Sequence, residues 1–311
     1  METSYATEKE FGKELGMVHE GIITLRNLGL TAKGWQKMVE DKELAGKVVA
    51  LIEGEKEMWL LKILANERAC HLAFFGKEFD LAEFADTLKK HGESKLRFWA
   101  KLGLEPHFLP RMAMDRNLNF PGWKIKPEKW YYDQIAKGNV FRQTSGESKI
   151  DRQVELEGIA VLIDTRRKPN YDNGRQMYED DGFLGSIIAE LRKKGKIAGY
   201  DDGPSSSRFG VSADEWENRV KPVYAVKLGL AASQLRLERV IEANAIPQIY
   251  THMPRKDDGK TNTWVWYEEY FEDRDVRLDG GDSGFGGLAR VFCDYSVSRW
   301  SSGSFRPLAV L

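Results

Sequence analysis

Between Asp282 and Ser304 the chain mixes Phe285, Arg290, Phe292, Cys293, Asp294, Tyr295, Arg299 and Trp300 with Gly284, Val297, Ser298, Ser301 and Ser302. It holds no Lys, Glu, Gln or Met there, although the chain is otherwise rich in Lys and Glu. These residue types suit non-covalent recognition. Tyr and Trp give rigid contact area at low entropic cost, Ser and Gly adapt their hydrogen bonding, and Arg offers a planar set of donors. Phe292, Tyr295 and Trp300 follow no period of two, so the stretch reads as a loop-borne contact surface or a plain coil rather than a half-buried strand.

Other residues that could do chemistry are poorly placed for it. The two cysteines, Cys70 and Cys293, lie far apart and form no disulfide framework or thiolate metal site. Cys70, in an apolar helical run, reads as a core thiol. Cys293 has no His or basic residue in sequence to lower its pKa. His19, His71, His91 and His107 are scattered without ligand spacing and read as surface or satisfied core histidines. Asp164, Asp172, Asn173, Asp180 and Asp181 lack the alternate spacing of a calcium loop, which leaves them turn and cap roles. Neither a catalytic residue nor a metal or cofactor is expected.

The chain that must position the tail has 311 residues, enough for one large or two modest domains with real cores. Its formal net charge of -1 argues against a general polyanion binder, so no nucleic acid partner is expected. The basic cluster Arg192-Lys193-Lys194 with Lys196 reads as a solvated helix end. No run approaches the roughly 18 apolar residues of a spanning helix, and the opening METSYATEKEFGKEL lacks the apolar core of a secretory signal. A cytoplasmic location is the expectation.

Residues 1–115 read as an all-α N-terminal region, a scaffold or interaction piece. Trp35, Met38 and Val39 recur at helical spacing after Thr31. Asp41 looks like the N-cap of a further helix burying Leu44, Val48, Leu51 and Ile52 up to Gly54. Asp80 and Glu83 form a capping pattern ahead of Leu81, Phe84, Ala85 and Leu88. Pro106, Pro110 and Pro121 punctuate the next stretch, and the domain boundary is placed there. Beyond it, Gly158 to Asp164 is a strand-length apolar run, and Lys168 to Gly174 is turn-rich. Phe183, Leu184, Ile187, Ile188 and Leu191 mark an amphipathic helix, and Ser212 with Glu215 makes a capping box before Trp216 and Val220. Helices followed by short strands point to an α+β unit over residues 118–311.

Four motifs then arrive in order. Leu235-Arg236-Leu237, followed by Val240-Ile241-Glu242, resembles the Arg-Leu-Pro and downstream Trp-Glu segment of formylglycine-generating-enzyme-like domains, a branch of the C-type lectin fold. Asn262-Thr263-Trp264-Val265-Trp266 resembles that family's Asn-Val-Trp-Glu-Trp strand, whose period-two tryptophans share a face. Leu278-Asp279-Gly280-Gly281-Asp282-Ser283 is similar to its Arg-Gly-Gly-Ser-Trp motif, and Ser304-Phe305-Arg306-Pro307 to its closing Gly-Phe-Arg. The tail is similar also to the variable proteins of diversity-generating retroelements, in which adenine-directed mutagenesis rewrites the end of a C-type lectin domain. Randomised AAY codons cannot yield Lys, Glu, Gln, Met or Trp, a rule the window 282–304 follows except at Trp300.

The resemblance implies a C-type lectin fold domain over 118–311, with a variable region at 282–304 that binds a protein ligand. Its binding residues would be Gly284, Phe285, Arg290, Phe292, Cys293, Asp294, Tyr295, Val297, Ser298, Arg299, Trp300, Ser301 and Ser302, with Trp300, Tyr295, Phe292 and Arg299 as energetic anchors. Gly280, Gly281, Gly286, Gly287, Leu288, Ala289 and Val291 would be framework. Phe305 would plug the core, Arg306 would fix the last strand, and Leu308 to Val310 would close the sheet beside the domain's N-terminal strand. One rival is an oxidase of the formylglycine-generating type, which works through a copper-binding cysteine pair where this domain offers Cys293 alone. The other is a non-diversified structural or assembly protein. Ligand identity and oligomeric state stay open.

Overall fold

The helix expected after Thr31 is present as α1 (Ala32–Glu40), with the Thr31 hydroxyl accepting from the Gly34 N–H at 3.2 Å. Asp41 closes this helix, its N–H bonding to the Lys37 carbonyl. The computed structural model describes residues 19, 31–41, 58–144, 147–165, 182–253, 263–282 and 287–311. The expected helix over Leu44 to Ile52, the turn at 168–174, and Asp172, Asn173, Asp180 and Asp181 lie outside the described residues.

The chain divides into two units, Met1–Leu61 and Lys62–Leu311. From Lys62 onward the second unit takes in the rest of α2 (Met58–Phe75), then α3 (Ala82–His91) and α4 (Glu93–Lys101). The N-cap of α3 is Leu81, without a side-chain cap bond, so the expected Asp80–Glu83 capping pair does not form; Asp80 instead accepts from the Ala82 N–H at 2.9 Å in the preceding turn, and Leu81, Phe84 and Leu88 are buried. The strands that follow are β1 (Leu104–Leu109) and β2 (Met112–Ala113), so the expected all-α region of 1–115 ends in sheet. Pro106 and Pro110 look like breakers in sequence. In the fold Pro106 lies on an edge strand, where a missing N–H costs no ladder bond.

Next come α5 (Lys129–Lys137), β3 (Val140–Thr144), β4 (Glu147–Ile150), β5 (Glu155–Leu156) and β6 (Ile159–Asp164). After α6 (Leu184–Lys193), the Ser212–Glu215 capping box opens α7 (Ala213–Glu215). A π-helical turn over Trp216–Val220 carries α7 into α8 (Lys221–Leu228). β7 (Leu235–Leu237) and α9 (Val240–Ile249) lead to the tail strands: β8 (Trp264–Phe271), β9 (Asp273–Gly280), β10 (Val291–Tyr295), β11 (Gly303–Phe305) and β12 (Pro307–Val310).

The architecture is α+β. One sheet runs β1-β6-β12-β7; a second runs β10-β9-β8-β3-β4, with β11 joining β8 in parallel; β2 pairs β5. β12 closes its sheet between β6 and β7, so Leu308 to Val310 do form a closing strand. The apolar α9 is buried along most of its length and shares a core with Tyr131, Ile135, Val161, Leu278 and Leu308. Arg236 grips Glu242 with two bonds, 2.6 and 2.7 Å, tying β7 to the first turn of α9. Among the described residues no helix is long and apolar enough to cross a membrane.

Arg192, expected in solvent at the end of α6, is a clamp. It donates to the carbonyls of Ala198, Ser205, Ser207 and Phe209 at 2.7 to 3.0 Å, shaping the loop that precedes the capping box. Asp164, set aside as a turn or cap residue, pairs in the interior with Arg208 at 3.0 Å.

Candidate binding site

Strand β10 is paired with β9 so that Phe292 lies opposite Asp279 and Asp294 opposite Arg277. Alternation along β10 sends Val291 and Cys293 toward the core and Phe292 and Asp294 to the other face. On that face Arg290, Phe292, Asp294, Trp300 and Ser302 line a cavity of about 400 Å³ together with Trp264 and Asp279. Five expected binding residues from 13 positions of sequence, 290–302, thus meet around one concavity.

The floor of this site is the Trp264/Trp266 strand. The Trp300 ring stacks on Trp266, centroids 4.3 Å apart at 24°, and Trp264 lies 6.1 Å from Phe292. Trp300 also donates from Nε1 to Asp294 at 3.0 Å, and the Arg290 guanidinium lies 4.9 Å from the Phe292 ring. Arg290 is held in turn by Glu128 at 3.1 Å, and Glu128 also accepts from the Val291 N–H. Gly303 permits the Trp300 position, since a Cβ there would come within 2.4 Å of the indole. Gly280 likewise faces the Arg290 carbonyl at a distance no Cβ tolerates.

Asp279 is buried, and its Oδ2 has no hydrogen-bond partner among the described residues. Burial, with the nearby Asp294 carboxylate adding to it and Arg290 opposing, pushes its carboxyl well above the ordinary range. The cavity therefore has an acidic wall beside an aromatic floor.

Around the rim, Phe292, Tyr295 and Val297 are 48%, 62% and 60% exposed, three large apolar side chains in six residues. Such clustering marks a recognition surface more than scattered single exposures do. Arg299 is held more firmly than expected of an anchor. It pairs two-pronged with Glu215 at 3.0 and 3.1 Å, and Glu215 also accepts from the N–H groups of Ala198 and Ser212. Burial opposes ionisation of Glu215, yet Arg299 and these N–H donors keep its pKa below the usual value. Cys293 corrects the sequence reading: it lies half-buried against the core, on the side of β10 away from the cavity, where burial pushes its thiol up. Ser298 and Ser301 lie at the rim, half-buried; Gly284, Phe285 and Gly286 lie outside the described residues.

The framework holds this segment by its main chain. The Ser296 carbonyl accepts from the Asp214 N–H (3.1 Å), and its N–H donates to the Asp275 carbonyl (2.7 Å). The Trp300 carbonyl accepts from the Gly210 N–H at 3.2 Å and that of Ser302 from the Trp264 N–H at 3.1 Å, while Tyr200 Oη donates to the Ser301 carbonyl at 2.8 Å. None of these bonds uses a side chain of residues 296–302. Sequence reasoning missed Arg192, Tyr200 and Glu215, whose clamping roles depend on loop geometry with no local signature.

A second polar cluster also escaped the sequence reading. Glu67 and His71 stand at i, i+4 on α2, where Glu67 faces His107 and Tyr250, and Glu105 and His107 share one face of β1. The histidines are thus partnered by carboxylates from distant parts of the chain.

No protein-family model and no curated protein matches the chain. Among solved structures, one described as the crystal structure of CarF aligns at 12% identity with a TM-score of 0.38, covering 68% of this chain and 99% of that one. A likeness at that level carries no argument about fold or function.

Proposed function

We propose that this chain is a binding protein whose surface around residues 290–302 recognises a protein ligand, and that it is a diversified variable protein of a retroelement on a lectin-type frame. The observation that supports this reading is the main-chain grip on residues 296–302 next to the exposed side chains of Phe292, Tyr295 and Val297. A surface built to change identity needs a backbone that does not depend on its side chains. The aromatic-floored cavity and the exposed Phe292, Tyr295 and Val297 supply the contact chemistry that protein interfaces favour.

An oxidase built on a cysteine pair has less support. Burial raises the thiols of both Cys70 and Cys293, against the thiolate that copper binding or nucleophilic attack requires. Sequencing the locus tests the proposal. The expected result is a near-identical template repeat beside a reverse-transcriptase gene, with mismatches confined to template adenines and falling on codons 284–302. A locus with neither would overturn the diversification half and leave only a fixed binding surface.

A further inference from the structure

Away from the tail, Glu105 and His107 leave the same face of edge strand β1, two residues apart, and meet His252 from the turn that follows α9. We propose that these three side chains form a binding site for one divalent transition-metal ion of the zinc class, with Glu67 as the residue that orients His107.

The geometry around His107 carries this. Its Nδ1 lies 3.0 Å from Glu67 Oε2. Glu67 is fully buried, and its other oxygen accepts from the Phe108 N–H at 2.9 Å and from the Tyr250 hydroxyl. A carboxylate so placed takes the Nδ1 proton as its hydrogen bond and leaves the lone pair on Nε2. That is the carboxylate–histidine arrangement that orients imidazole ligands of metals. Nε2 itself is buried, and the polar atom it faces is Glu105 Oε2, at 3.5 Å. The ring is pinned from above by Tyr250, centroids 3.9 Å apart, so Nε2 is aimed and cannot swing away.

What it is aimed at is the rest of the ligand set. Nε2 lies 3.5 Å from Glu105 Oε2, which lies 3.1 Å from His252 Nε2, and all three ligand atoms fall within 4.8 Å of one another. Ligands about 2.0–2.1 Å from a tetrahedral zinc stand roughly 3.3 Å apart, so the set closes on an ion with small side-chain movements. Two imidazoles and one carboxylate favour zinc-class ions over calcium or magnesium, which prefer all-oxygen shells. Glu105 and His252 are 43% and 45% exposed at the side chain, which gives the ion an entry path and leaves a fourth position for water.

The test is a titration of the untagged full chain with Zn²⁺ against a chromophoric chelator, with Co²⁺ as a spectroscopic substitute. The expected result is one equivalent bound, a visible cobalt spectrum of tetrahedral intensity, and affinity reduced at least 100-fold by either His252→Ala or Glu105→Gln. Glu67→Gln is expected to weaken binding about 10- to 100-fold with the same stoichiometry. Because Glu67 is buried, the exposed His252→Ala variant, checked by circular dichroism, keeps the test independent of folding. Absence of a stoichiometric site, or binding unchanged in His252→Ala and Glu105→Gln, would overturn the proposal and leave an ion-paired histidine cluster.

Discussion

Two adjoining stretches of the tail depend on their side chains to different degrees. From Ser296 to Ser302 the framework grips carbonyls and N–H groups, while side chains such as Val297 stand in solvent. From Gly303 to Leu308 side chains add to the strand ladders: Phe305 is fully buried with its ring 4.9 Å from Trp216, and Arg306 is buried and donates to the Asp164 carbonyl. In the first stretch the backbone is held without the Val297 side chain, while Arg299 and Trp300 add ties to Glu215 and Trp266; in the second, side-chain burial and backbone position are inseparable. On the proposed function, a fold that keeps its shape while presenting changeable chemistry would use both modes side by side.

The contrast can be broken from either side. Phe305→Ala removes a core ring and should cost about 3–5 kcal/mol, read from urea unfolding; a cost below about 1 kcal/mol would mean the second stretch is no more committed than the first. Trp300 straddles the two modes, since its ring is a rim residue that also stacks on Trp266. Trp300→Ala should therefore lose at least the ~0.5–1.5 kcal/mol of an aromatic pair, and replacing Tyr295, Arg299 and Trp300 together should exceed the cost of Tyr295 alone mainly through the tryptophan. Asp279→Asn sharpens the account through pH. The Asp279 carboxyl is raised in the fold above its unfolded value of 3.8, so the folded state holds its proton longer than the unfolded chain. Stability of the parent should fall as pH rises above that unfolded value, and below it the group should have no effect. The asparagine variant should lack this loss, gaining on the parent from about pH 4 upward and equalling it at lower pH; parallel stability–pH curves would contradict the assignment.

Much of the framework was legible in the sequence because its signals are local. The capping box of Ser212 and Glu215, the apolar run that became β6 and the paired tryptophans of β8 each state their role within a few residues. The strand through Pro106 was not, because a proline is compatible with a chain break and with an edge strand alike, and only pairing with β6 decides. The site was legible as composition but not as geometry. Period-two alternation on β10 sends Cys293 inward while Phe292 and Asp294 line the cavity, a distinction the glycine- and serine-rich surroundings conceal. The cluster of Glu67, Glu105, His107 and His252 needed contacts across 40 positions (Glu67 to His107) and 147 (Glu105 to His252), which no local pattern carries.

Urea unfolding of the triple variant Phe292→Ser, Tyr295→Ser, Val297→Ser tests most directly whether backbone and side-chain identity are uncoupled in the tail. The expected result is a stability within about 0.5 kcal/mol per substitution of the parent, with an unchanged denaturant slope. A loss of several kcal/mol, on the scale of Phe305→Ala, would show that these side chains hold the fold together and that the surface is not built to change.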